Sequence, residues 1–158
     1  MKEREINKII VVSLCENFSK SVAYDLSQNL GMIFCDAKEL LAYQLADLQA
    51  VSDQISKAYL EKEEKRVLKE LSSYENVIIS INFDFFYKNL KLMKNKSITI
   101  YIDLPKDIVK ANGNCLDSLA YGHRSEDLKE FADLTINLKQ PDKKIACAKI
   151  LEKLGGIL

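Results

Sequence analysis

The chain has 158 residues, 47% of them apolar and 29% charged, which suffices for one domain with a sizeable core and excludes intrinsic disorder. Twenty-three basic residues balance twenty-three acidic ones, so no global field draws the protein to nucleic acid or to an anionic membrane, and any anion site must be local. The cysteines at 15, 35, 115 and 147 form no CxxC pair; they suit neither structural zinc nor a small disulfide scaffold and read as buried, reduced thiols. The apolar run behind the charged first residues is too short for a signal segment or a membrane span, which points to the cytoplasm.

No repeat, low-complexity tract or Pro/Gly/Ser linker interrupts the chain, so residues 1–158 read as a single domain. The run Ile9-Ile10-Val11-Val12 predicts a strand over 8–13 that is covered on both faces, as in a parallel sheet. Val22, Leu26 and Leu30 then recur at helical spacing, predicting a helix over 19–30 that stops at Gly31. A short strand over 32–35 leads through Asp36 into a Leu- and Ala-rich helix over 37–50. A longer helix over 52–73 carries the mixed run Glu61-Lys62-Glu63-Glu64-Lys65-Arg66, which reads as a solvated face. Further elements are a strand over 77–81, a helix over 84–93, a strand over 97–102, and a short helix from Pro105 through Val109. A helix over 125–132, an edge strand over 134–138 and a last helix from Pro141 complete the pattern. That last helix is expected to bury Ile145, Ala146, Ile150, Leu151 and Leu154. Strands alternating with helices predict a three-layer α/β domain with a five-stranded parallel sheet, whose ligand site belongs at the strands' carboxyl ends.

The first such end is Leu14-Cys15-Glu16-Asn17-Phe18-Ser19-Lys20-Ser21. Against GxxxxGK[ST], the Lys-Ser pair survives while Leu14 and Ser19 stand at both glycine positions. The dipeptide alone is a weak signal, but it follows a buried strand at the opening of a helix, where a phosphate nest belongs.

With that placement the chain resembles the shikimate kinase family of P-loop small-molecule kinases over nearly its whole length. Leu30-Gly31-Met32-Ile33-Phe34-Cys35-Asp36 is similar to the family's second strand and the start of its Asp-x-Asp pair. Glu64 to Leu68 and Glu75 to Ile79 are similar to the helix and strand that lead to its triple-glycine loop. Arg124 and the stretch Phe131-Ala132-Asp133-Leu134-Thr135 look like the Arg-x-Pro-x-Tyr segment and the last strand's opening. The resemblance implies a P-loop NTPase-like fold with ATP and Mg²⁺ as cofactors where nucleotide binding is retained. Lys20 and Ser21 would bind nucleotide, Ser21 and Asp36 would hold Mg²⁺, and Asp36 would help orient the attacking hydroxyl. Arg124 would bind the acceptor's carboxylate, with Lys38 also facing the acceptor.

The departures from the family are more numerous. A Cβ at each lost glycine costs about 1–3 kcal/mol if the same loop shape is forced, and Glu16 brings negative charge beside the expected phosphate. Lys38 replaces the second carboxylate of the Asp-x-Asp pair and accepts no hydrogen bond. Glu61 falls where an arginine is expected, and Asn82-Phe83-Asp84 replaces the triple glycine. Only 18 residues lie between Pro105 and Arg124, too few for the family's arginine-bearing lid. Plainer roles stand beside the functional ones: Lys20 and Ser21 as a solvated helix turn, Asp36 as a helix cap, Arg124 as a surface or packing residue and His123 as an exposed loop position. The leading expectation is a divergent shikimate-kinase-like protein with weak or lost phosphoryl transfer and residual nucleotide or anion binding. The alternatives are an active kinase acting on shikimate or another small hydroxy acid, and a structural subunit binding no nucleotide. A nucleotide, a protein partner or a second copy of the chain remain as partners, with nucleic acid and membrane excluded.

Overall fold

The computed structural model describes residues 7–49, 57–83, 97–111 and 118–155. Its elements are β1 (Lys8–Ser13), α1 (Glu16–Leu30), β2 (Ile33–Asp36), α2 (Ala37–Gln49), α3 (Lys57–Ser73), β3 (Val77–Ile81), β4 (Ser97–Asp103), α4 (Lys106–Ala111), α5 (Ser118–Phe131), β5 (Leu134–Asn137) and α6 (Lys143–Gly155). The expected helix over 84–93 lies outside the described residues, as does the expected start of the helix over 52–73.

The five strands form one sheet in the order β2-β3-β1-β4-β5, every pairing parallel, with helices on both sides. The expected α/β class and five-stranded parallel sheet are therefore what the structure has. Position in the sheet follows composition. β1, β3 and β4 are rich in β-branched residues and sit in the centre, where Ile10, Ile79 and Ile100 are fully buried. The alternating strand β5 lies at one edge, as its pattern predicts. The other edge is β2, whose Ile33 is 64% exposed. On one side α1 packs against β1, β3 and α6, while α2 packs against α3 and touches β2 and β3.

Gly31 ends α1 in the left-handed region at φ 65°, donating its N–H to the Ser27 carbonyl. A Cβ disfavours that conformation, which is why glycine stands there. At the start of α6 the Asp142 carboxylate accepts the N–H groups of Lys144 and Ile145 at 3.0 and 3.2 Å, so the helix opens two residues beyond Pro141.

Four sequence expectations are corrected. α1 begins at Glu16 rather than at residue 19. α5 begins at Ser118, so His123 and Arg124 are helical residues rather than loop residues. Ile145 is 49% exposed, and α6 instead buries Ala146, Cys147, Ile150 and Leu154. Within the charged run of α3, Glu63 turns inward and is 5% exposed, with Arg66 Nη1 3.7 Å from its Oε2. A solvated face accounts for that residue's neighbours but not for Glu63, whose burial requires a charge partner. Of the cysteines, Cys15 and Cys147 are buried and Cys35 is half-buried; burial pushes all three thiols up from their ordinary pKa. Position 115 is outside the described residues. Among the described residues no helix is long and apolar enough to cross a membrane.

Candidate functional site

At the carboxyl ends of β1, β2 and β3 lies a cleft of about 310 Å³, lined by Glu16, Asn17, Ser19, Lys20, Asp36, Lys38, Glu39, Ala42, Ile81 and Asn82. The parallel sheet places it where the fold class puts a ligand. Three expected site residues, Lys20, Asp36 and Lys38, come together here. Ser21 is exposed and takes no part in the lining.

The link from β1 to α1 is short and closed by its own hydrogen bonds. Ser13 Oγ donates to the Cys15 carbonyl at 2.7 Å and accepts the Cys15 N–H at 3.1 Å. The same carbonyl accepts the N–H groups of Phe18 and Ser19, both at 3.1 Å. A phosphate-binding loop leaves its amides free to point at the ligand; here two of them are already spent in the first turn of a helix. Among the described residues the only non-glycine backbone at positive φ is Asn76, at 56°. Leu14 and Ser19 are therefore unstrained because the loop has taken a different shape. Lys20 and Ser21 sit beyond the first turn of α1 rather than at its opening, a correction to the sequence expectation that follows directly from the early helix start.

Asp36 ends β2 and caps α2. Its Oδ2 accepts the Glu39 N–H at 3.0 Å, and its Oδ1 accepts the hydroxyl of Ser80, its register partner on β3. Both carboxylate oxygens thus hold structural hydrogen bonds. Lys20 Nζ is paired with Glu39, and that hydrogen bond raises the Lys20 pKa above its ordinary value, with the Glu39 and Asp36 charges adding to the effect and desolvation opposing it. Lys38 Nζ lies 3.2 Å from Glu16 Oε2. The cleft therefore sets three carboxylates against two ammonium groups, with each ammonium already paired. Asn82 contributes a buried Oδ1 without a hydrogen-bond partner.

Arg124 lies outside the lining, its guanidinium carbon 4.8 Å from the centroid of the Phe83 ring. Phe83, 9% exposed, follows Asn82 where the resemblance places glycines, so a bulky ring and a stacked arginine fill that corner. The helix bearing Arg124 is fixed to the end of β4 through Asp103. The Tyr101 hydroxyl donates to Asp103 Oδ1 at 3.2 Å and lies 3.1 Å from Ser125 Oγ, the Tyr121 hydroxyl donates to the Leu104 carbonyl at 2.6 Å and lies 3.3 Å from Asp103 Oδ1, and Lys129 Nζ is 3.1 Å from Asp103 Oδ2.

The residue that sequence reasoning missed is Glu39. Asp36-x-x-Glu39 has the spacing of a capping box, and that signal was available. Only the structure shows that the carboxylate of Glu39 turns to Lys20 rather than back to the cap.

The fold and the cleft at its carboxyl edge define the class: a P-loop small-molecule kinase scaffold. A family model for shikimate kinase matches residues 20–118, and the chain belongs to the shikimate kinase family. It is 28% identical over 104 residues to the shikimate kinase of Aquifex aeolicus, a stretch covering 64% of this chain and 62% of that relative. The crystal structure of the Aquifex aeolicus enzyme superposes with a TM-score of 0.73 at 27% identity, covering 94% of this chain and 96% of that one. The Acinetobacter baumannii shikimate kinase, solved in complex with shikimate, gives 0.70 at 18% identity, covering 97% and 95%. The family match opens at Lys20, so residues 14–19 lie outside it.

Shikimate kinases use ATP and Mg²⁺, and the residues in this cleft do not fit the phosphates and metal of that pair. Phe18 and Ser19 amides are bonded within the helix, Lys20 is engaged by a carboxylate, Ser21 is outside the lining, and each oxygen of Asp36 already accepts one structural hydrogen bond. Among the described residues no group of three His, Cys, Asp or Glu side chains is arranged to hold a metal ion.

Proposed function

We propose that this member of the shikimate kinase family has weak or lost phosphoryl transfer, retains at most residual anion binding in its cleft, and works in the cytoplasm through a protein partner or a second copy of itself. The observation that carries the reading is the conversion of the phosphate loop into the first turn of α1. Phosphoryl transfer rests almost entirely on positioning and charge stabilisation of the transferring group. A scaffold that spends its loop amides and its lysine internally has lost the means for both. Neither nucleic acid nor a membrane is a partner in this reading, in keeping with the balanced charge.

An assay of purified protein with shikimate, ATP and Mg²⁺ tests it. The expected result is turnover indistinguishable from a protein-free control. Robust ATP-dependent phosphorylation, abolished by Lys20→Ala and Asp36→Ala, would overturn the reading in favour of an active kinase on a small hydroxy acid, with Lys20, Ser21, Asp36, Lys38 and Arg124 in the roles that the family resemblance implies.

A further inference from the structure

The two devices with which a P-loop scaffold attracts an anion are the amino end of its first helix and the lysine beyond the loop. In this chain a carboxylate has been brought to each. Glu16 stands in the first turn of α1 and pairs with Lys38. Glu39, carried in by the first turn of α2, pairs with Lys20. Both carboxylates and both lysines line the same cleft of about 310 Å³, together with Asp36. An incoming anion would meet a surplus of one negative charge and would have to break an ion pair to reach either ammonium.

We propose that Glu39 is the specificity-determining residue of this cleft: with Glu16, it acts as a built-in substitute for an anionic ligand and makes the site reject polyanions such as inorganic pyrophosphate and phosphate esters. This inference rests on the reading that the unaltered cleft no longer cradles phosphate. It adds that the rejection is set by one removable charge and is not caused by the loop geometry alone.

The geometry makes the proposal separable from folding. The side chain of Glu39 is 61% exposed and that of Lys20 39% exposed. What Glu39 gives to the fold is its backbone N–H, donated to Asp36, and glutamine at that position keeps the amide. The substitution Glu39→Gln leaves the shape of the side chain nearly unchanged, frees Lys20, and brings the cleft to two carboxylates against two ammonium groups. Removing a like charge and releasing an ammonium at a half-exposed site changes anion affinity by roughly tenfold, and the gain falls with added salt.

The experiment is a calorimetric titration of inorganic pyrophosphate, without metal, into the full chain and three variants at low salt. Glu39→Gln is expected to bind at least about tenfold more tightly than the unaltered protein, and Glu39→Gln combined with Lys20→Ala is expected to lose that gain. Glu126→Gln, an exposed charge on α5 outside the cleft, is expected to leave affinity unchanged. The proposal is overturned if Glu39→Gln binds no better than the unaltered protein, if its gain survives loss of Lys20, or if Glu126→Gln produces the same gain. Failure of the underlying reading would look different: the unaltered protein would itself bind pyrophosphate tightly through Lys20, with Glu39→Gln adding little.

Discussion

Replacing Ile79 by alanine is expected to destabilise the protein by about 2–5 kcal/mol, the range for removing three methyl or methylene groups from a packed core. Ile79 is fully buried on β3, between Ile10 of β1 and Cys35 of β2. Both faces of this strand are covered, so the neighbouring backbone has little freedom to collapse into the void, and the result should lie in the upper half of that range. For a chain of this size each kcal/mol lowers Tm by roughly 2–4 °C, so the loss is read readily in a thermal or urea melt. Ile33→Ala on edge strand β2 is the control. With Ile33 64% exposed, its cost should stay within about 0.5 kcal/mol. Equal effects at the two sites would contradict the placement of β3 inside the sheet and β2 at its edge.

Asp36→Ala is expected to cost about 1–3 kcal/mol, because it removes a helix cap and strands a buried hydroxyl at once. Ser80, 1% exposed, would lose the acceptor for its Oγ, and the first turn of α2 would lose the acceptor for the Glu39 N–H. Asp36→Asn keeps one carbonyl acceptor and should recover about half of the loss. The measurement is the urea midpoint of the three proteins, with the dependence on denaturant compared to confirm that only stability has changed. A metal or acceptor role for Asp36 predicts another pattern, in which both substitutions abolish an activity while the melting curves barely move. In this fold Asp36 links β2, β3 and α2 at the edge of the cleft through its hydrogen bonds to Ser80 and the Glu39 N–H.

Much of this architecture was legible because parallel strands are covered on both faces and so leave unbroken apolar runs. Ile9 to Val12 and Val77 to Ile81 announce themselves without any comparison. The cleft's location was legible for the same reason, since it follows from strand ends. What was not legible depends on which way a side chain or a turn closes, which periodicity does not record. The start of α1 depends on Ser13 closing its own turn on Cys15, whereas the family motif predicts an open loop over the same residues. Glu63 turns inward from a charged run whose other members face outward, with Arg66 three residues on as its ion-pair partner. Ile145 looked like core because it is apolar at the start of a helix, yet the buried set of α6 at 146, 147, 150 and 154 places it on the outer face. α5 extends further towards its amino end than the periodicity predicts, because Gly122 and the weakly amphipathic residues around it carry little periodic signal. The pairing of Lys20 with Glu39 joins two helices across 19 positions, and no local pattern records which way either side chain turns.

The departures in the cleft have one physical thread. Without glycine at 14 and 19 α1 starts early, the early helix engages the amides of residues 18 and 19, and Lys20 is left to pair with a carboxylate. A carboxylate opposite Lys20 then occupies the ammonium that an anionic ligand would need. Exposed ion pairs contribute only about 0–1 kcal/mol each, so these pairs matter for what the cleft admits far more than for whether the chain folds.

The central claim, that the cleft no longer holds the phosphates of MgATP, is tested most directly by calorimetric titration of MgATP into the purified protein beside Lys20→Ala. The account predicts no saturable binding up to about 1 mM nucleotide, with the two proteins giving the same heats. Micromolar binding by the unaltered protein, lost in Lys20→Ala, would contradict it and would show that this loop still cradles phosphate.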